Sequence, residues 1–200
     1  MPTVQYLPPN KLSSFSELSG GRKLRDFEYY DIRPYATGGH TTMQFFRTDG
    51  QQQDMSGSTA TNRVSNMVTS GKFDEPFLIT NIGLFFRSYS SADETKLEEV
   101  QRILSGGKLT LTINNIPVFW RSPIGRCGNV LNFSGFVATT DTTVTTGNAY
   151  LALKPHALDP YVYCEENITF DVTIDWTAAE TVNAASYLGV YLIGGKYFKA

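Results

Sequence analysis

From Ile168 to Trp176 apolar and polar side chains alternate without a break, and no other stretch of the chain restricts the fold as tightly. Ile168, Phe170, Val172, Ile174 and Trp176 share one side, while Thr169, Asp171, Thr173 and Asp175 share the other. Strand side chains alternate with a period of two, so the pattern reads as a half-buried antiparallel strand. Such a strand must cover its apolar side with a second layer. Phe170, Ile174 and Trp176 are therefore core candidates.

The same period returns at Leu109, Leu111 and Ile113, whereas only residues 91–105 change clearly to the helical one. Ser91, with Glu94 three positions on, forms a capping-box pattern. Leu97, Val100, Ile103 and Leu104 then make an apolar stripe, and Gly106 with Gly107 supplies the stop. A short helix lying on a sheet is expected, with Glu98, Glu99, Gln101 and Arg102 left in water. Strands are expected at 24–33, 41–48, 77–89, 108–114, 116–120, 129–139, 148–153, 161–163, 168–176 and 186–193, separated by Gly, Pro, Asp and Asn. Within 77–89 the run Leu78, Ile79, Ile82, Leu84, Phe85 and Phe86 departs from strict alternation, which a bulge or burial on both faces accommodates. About eight to ten short strands with one peripheral helix describe an all-β jelly-roll β-sandwich better than an open α/β sheet, which needs repeated crossover helices. Chain order alone does not fix which strands are neighbours.

Two hundred residues suffice for one sizeable core. The chain divides into an N-terminal extended arm, residues 1–21, and a single domain, residues 22–200. Pro2, Pro8 and Pro9 remove ladder donors from the arm, which makes a central strand there awkward. Val4, Tyr6, Leu7, Leu12 and Phe15 nevertheless give it an apolar surface that can dock on a neighbour or along its own domain. These five are the candidate assembly contacts. Residues 49–58 and the Thr-dominated run 139–146 read as exposed loops.

Seventeen Lys and Arg against nineteen Asp and Glu leave a formal charge of -2, so no broad cationic surface for nucleic acid is implied. Arg22, Lys23 and Arg25 form the one tight basic cluster. Cys127 and Cys164 make no disulfide framework; one buried disulfide or two separate buried thiols are both compatible with the sequence. The first residues lack a basic segment followed by an apolar run, and no stretch is long enough to cross a membrane as a helix, so neither secretion nor membrane integration is expected.

Catalytic chemistry has little to draw on. His40 and His156 are the two histidines, and neither sits in a nucleophile or metal signature. Asp171 and Asp175 share one strand face and suit a solvent-facing polar patch, with Asp159, Glu165 and Glu166 as further oxygen donors lacking a calcium motif. Asn132-Phe133-Ser134 and Asn167-Ile168-Thr169 match the glycosylation acceptor pattern, but Phe133 and Ile168 suit the core. No catalytic residue, cofactor or metal is expected.

The segment Phe77-Leu78-Ile79-Thr80-Asn81-Ile82, the capped helix ending at Leu104, the strand Gly107-Lys108-Leu109-Thr110-Leu111-Thr112-Ile113, the aromatic and proline-bearing 117–123, and the closing Val190-Tyr191-Leu192-Ile193-Gly194 resemble coat proteins of the viral jelly-roll class. The resemblance spans roughly residues 24–198 and is closest in kind to single jelly-roll coat proteins of tailless icosahedral bacterial viruses. It implies a structural virion protein of a bacteriophage, made in the host cytoplasm and built into the capsid as a main-lattice, vertex or minor coat subunit. Its partners would be itself and other capsid proteins, with contacts to an internal membrane or to minor coat proteins, and no specific nucleic acid. The competing expectation is a receptor- or carbohydrate-binding β-sandwich, whose mark would be an exposed Trp or Tyr beside polar groups.

Overall fold

The computed structural model describes residues 4–7, 23–47, 64–88, 97–136, 145–152 and 154–198. Its elements in chain order are β1 (Val4–Leu7), β2 (Lys23–Tyr35), β3 (Thr42–Phe45), β4 (Val64–Ser65), β5 (Phe77–Ser88), α1 (Leu97–Gly106), β6 (Lys108–Ile113), β7 (Ile116–Arg121), β8 (Asn129–Phe136), β9 (Thr145–Ala152), β10 (His156–Cys164), β11 (Phe170–Asp175) and β12 (Ser186–Phe198). The described residues are thus mostly β with one short α-helix, and their strands form two sheets.

The larger sheet runs β1-β10-β5-β12-β2-β4, and the smaller runs β3-β11-β6-β7. Neighbours along both paths are antiparallel. One edge of the long strand β5 is shared: Phe77–Ile82 faces β10, and Leu84–Arg87 pairs in parallel with β8, which carries β9 beyond it. The pairing of β12 with β2 is unbroken over thirteen residues, from Ser186 opposite Tyr35 to Phe198 opposite Lys23.

The inward residues of both sheets meet in one core. Phe170, Val172 and Ile174 of β11 are buried, as are Leu109, Leu111 and Ile113 of β6 opposite them. From the larger sheet come Tyr29, Phe77, Ile79, Ile82, Leu84, Leu188, Val190 and Leu192. Phe73 stacks on Phe170 at 3.9 Å between ring centroids, and Tyr29 meets Phe77 edge-on at 4.9 Å. Each such side chain contributes on the order of 1.5–3 kcal/mol by leaving water, which is what offsets ordering the strands.

β5 uses both devices that its irregular sequence allowed. Ile193 and Gly194 of β12 face Asn81 and Ile79, so Thr80 is the extra residue of a bulge, and its hydroxyl donates to Ile193 O at 3.1 Å. Leu78 is buried on the opposite side in a second, smaller cluster with Tyr163 and Tyr197. A Cβ on Gly194 would lie 1.7 Å from Leu78 O, so only glycine allows this close approach.

The described part of the helix sits as expected, with Val100 and Ile103 buried and Leu104 half-buried. Trp176 locks it down: its Nε1–H donates to Ile103 O at 2.9 Å while its ring meets Tyr35 edge-on. Gln101 and Arg102 are exposed, but Glu99 is a correction to the wet face. Its carboxylate is buried and accepts the Asn183 N–H at 3.0 Å, because the chain between β11 and β12 folds over this flank of α1. Arg102 also reaches that chain, at Thr181 O and Glu180. A solvated helix face read from α1 alone misses a cover supplied from eighty residues away. Ser91, Glu94 and the side chain of Glu98 lie outside the described residues.

Several strands differ from expectation in length. β2, β10 and β12 extend beyond 24–33, 161–163 and 186–193. Pro160, inside β10, falls where the β10–β5 register shifts between Ala157 and Val162, which accommodates its missing N–H. β4 was not anticipated and consists of two residues paired with Asp31 and Ile32.

Candidate functional site

The two histidines sit in different parts of the fold. His40 stands beside Tyr35, its Nε2 accepting the Ala36 N–H at 3.3 Å, and burial holds its pKa below the ordinary histidine value. His156 begins β10, in a different sheet region. Cys127 and Cys164 are buried free thiols, so no disulfide joins them. Burial pushes the Cys127 thiol up to about 12 against the lowering influence of Arg121, and raises Cys164 too, which leaves both protonated and unreactive at neutral pH. Among the described residues no group of three His, Cys, Asp or Glu side chains could hold a metal ion.

The expected solvent-facing acidic patch on β11 is corrected at Asp171. That side chain is buried, and its Oδ2 accepts both Arg47 Nε at 2.9 Å and Arg47 Nη2 at 2.5 Å. The pair borders a cleft of about 270 Å³ that Ser70, Thr112, Asn115 and Thr169 also line. Asp175 keeps its partly solvated position and accepts from Thr42 Oγ1 at 2.9 Å. Asp159 is exposed, while Glu165 and Glu166 are half-buried. Asn167 is exposed in a positive-φ turn and Ile168 is buried; the side chains of Asn132 and Phe133 lie outside the described residues.

The surfaces suited to contact lie at sheet edges. β1 closes the β10 edge of the larger sheet, with Val4 opposite Cys164 and Leu7 opposite Tyr161. Leu7 and Tyr161 pack on the outer cluster of Leu78, Tyr163 and Tyr197, whereas Tyr6 is 53% exposed. Four of the arm residues are thus edge-paired on the protein's own domain. Leu12 and Phe15, the side chain of Val4, and the 49–58 loop lie outside the described residues, as does most of 139–146; Thr145 and Thr146 open β9.

A second edge was missed by reading the sequence. β7 bounds the smaller sheet and carries Ile116 and Trp120, 64% and 65% exposed. Asn114 and Asn115, at φ 50° and 63°, form the two-residue turn that folds β7 back on β6. Trp120 lies opposite Thr110, and Lys108 Nζ is 5.9 Å from its ring centroid. A register shift opposite Leu111 and Thr112 explains the miss. Strict alternation would give Val118 and Trp120 the same environment, but Val118 packs with Phe119 on the core while Trp120 faces out. The Pro117 in this segment was the available signal for an irregular edge.

No family model matches the chain, and no curated protein or solved structure matches it.

Proposed function

We propose that the chain is a jelly-roll β-sandwich serving as a structural virion protein, which builds an icosahedral capsid by self-association or coassembly. The observation that carries the reading is the strand order. Numbering β2, β3, β5, β6, β7, β10, β11 and β12 from one to eight, the larger sheet contains the path 1-8-3-6 and the smaller is 2-7-4-5. Strand 1 pairs with 8, 2 with 7, 3 with 6 and 4 with 5, all antiparallel. Such pairing is what one long antiparallel ribbon wound on itself would give, and it supports the reading as a double-sheet jelly roll, an architecture that recurs in viral capsid and lectin domains.

Two further features support assembly over an isolated life. Edge strands β1 and β7 both present large exposed side chains, Tyr6 on one and Ile116 and Trp120 on the other. Only 18% of residues are charged, so the surface offers little repulsion between copies. On this reading the partners are the chain itself and other coat proteins, an internal membrane and minor coat proteins being additional contacts. The place of work is the virion, after synthesis in the host cytoplasm.

Native mass spectrometry and electron microscopy of the purified protein, with and without co-expressed coat proteins, test the proposal. Closed capsomers or particles burying at least roughly 1,000 Å² per contact are expected. A monomer at all concentrations that is also missing from sedimenting particles removes it.

One observation favours a second reading. Trp120 is exposed, opposite Thr110 in register and with the Lys108 ammonium near its ring, and an aromatic face next to polar groups is how a β-sandwich would hold a sugar ring. Glycan binding abolished by Trp120→Ala, with assembly unaffected, would select this reading.

A further inference from the structure

Arg121 closes β7 and reaches across to His156 at the start of β10, with Nη2 and Nε2 2.6 Å apart. A guanidinium has only donors, so the imidazole nitrogen must accept, which requires neutral His156 with its proton on Nδ1. Burial first, and the Arg121 charge second, hold His156 below the ordinary histidine pKa and maintain that state. The arrangement leaves a donor over. Arg121 Nε is buried and has no acceptor among the described residues. A buried charged donor without an acceptor is costly, and it leaves the guanidinium incompletely satisfied behind its contact with His156.

The surroundings are those of a site. A cavity of about 150 Å³ opens beside the pair, with Val118, Phe119, Leu158 and Val162 as apolar walls and Tyr6 of β1 at its lining. The Phe119 ring centroid lies 5.4 Å from that of His156 and 5.8 Å from the guanidinium carbon, which limits the orientations of both. The other titratable groups facing the pair are Asp159 and Tyr6 in the lining and Cys127 nearby. Asp159 is exposed and the buried Cys127 is protonated, so the lining sets the Arg121 charge against a single exposed carboxylate.

We propose that this cavity between β7 and β10 binds a carboxylate, with the Arg121 guanidinium and the His156 imidazolium each donating to it. Entry of the anion replaces the Arg121–His156 hydrogen bond by two charge-assisted ones, and one proton is taken up by His156 from solvent. Apolar walls strengthen both bonds by excluding water. The site takes only the carboxylate head of a ligand, because the cavity is small. The inference is independent of the assembly reading and stands or falls without it.

Acetate is the probe. The chain has two histidines, so ring proton NMR resolves His156 with His40 as internal control in the same tube. Titrations in 100 mM acetate and in 100 mM chloride, roughly matched for screening, should differ at His156 by a rise of at least about half a pH unit in its midpoint. His40 should not respond. Arg121→Gln should abolish the acetate effect while leaving His156 titratable. A second arm with acetyl-glutamate amide, whose only carboxylate is on its side chain, distinguishes a protein-borne acid from a free small acid. Identical His156 midpoints in acetate and chloride overturn the proposal, as does an acetate response retained in Arg121→Gln. Should that variant fold poorly, Arg121→Lys, which keeps the charge but loses the planar fork of donors, must reduce the response for the assignment to hold.

Discussion

Lys196 offers a sharp test of how this fold tolerates a buried charge. Its ammonium, with the side chain 7% exposed, donates to Asp74 Oδ2 at 2.6 Å and lies 4.7 Å from the Phe27 ring centroid and 5.4 Å from that of Tyr29. Asp74 is a quarter exposed and also accepts the Tyr29 hydroxyl. The two partners are therefore unequal. Asp74→Ala strands an ammonium inside an aromatic box, and should cost about 3–5 kcal/mol. Lys196→Met fills the same box with an apolar chain and leaves a carboxylate that still reaches water and Tyr29, so its cost should be roughly 1–2 kcal/mol.

The decisive measurement is the double variant. Lys196→Met introduced into the Asp74→Ala background should raise stability, since it removes the uncompensated charge, and urea unfolding at pH 7 would show the midpoint recover. Further loss in the double variant would refute the reasoning and make Lys196 valuable for packing alone. The pH dependence gives a second check. Burial would push the Asp74 carboxyl up, but hydrogen bonds from Lys196 and Tyr29 outweigh it and hold the pKa below the usual value. An unfolded chain then binds the proton more readily, so this contribution is complete above about pH 4 and is lost as pH falls through the folded value. The gap between wild type and Asp74→Ala should narrow only in that acid range.

Trp176→Ala should destabilise by about 3–5 kcal/mol, and Trp176→Phe by markedly less, because the latter keeps the packing on Tyr35 and loses only the bond to Ile103 O; chemical denaturation separates the two. Deleting residues 1–7 removes an edge strand rather than core, so the melting temperature should fall by less than about 5 °C while particle yield collapses; loss of cooperative unfolding would instead assign the arm to the fold. Burial depresses both histidines, with Arg121 adding to it at His156, so the unfolded state takes protons first. Stability should be full above about pH 6.5 and decline as pH falls below it, and His156→Gln should flatten part of that slope in denaturation midpoints.

Strand 168–176, strand 108–113 and the helix could be read from the chain because their signal is local. A period of two or of 3.6 is a property of consecutive side chains, and it fixes which face of Phe170, Ile174 or Val100 must leave water before any partner is known. Edges, covers and neighbours have no such local mark. Glu99 is buried by residues from the chain preceding β12, Asp171 is tied to an arginine over a hundred positions away, and Trp120 faces out because a register shift gives Val118 and Phe119 the inward places. His156 and Arg121 meet because β10 and β7 are strands of different sheets. The amino-acid sequence by itself determined that this chain must fold as layered β structure with one applied helix. Which strands pair, and hence which polar groups are enclosed and which aromatic side chains stay exposed, was decided by tertiary structure, because side-chain periodicity constrains the face of a strand and not its neighbour.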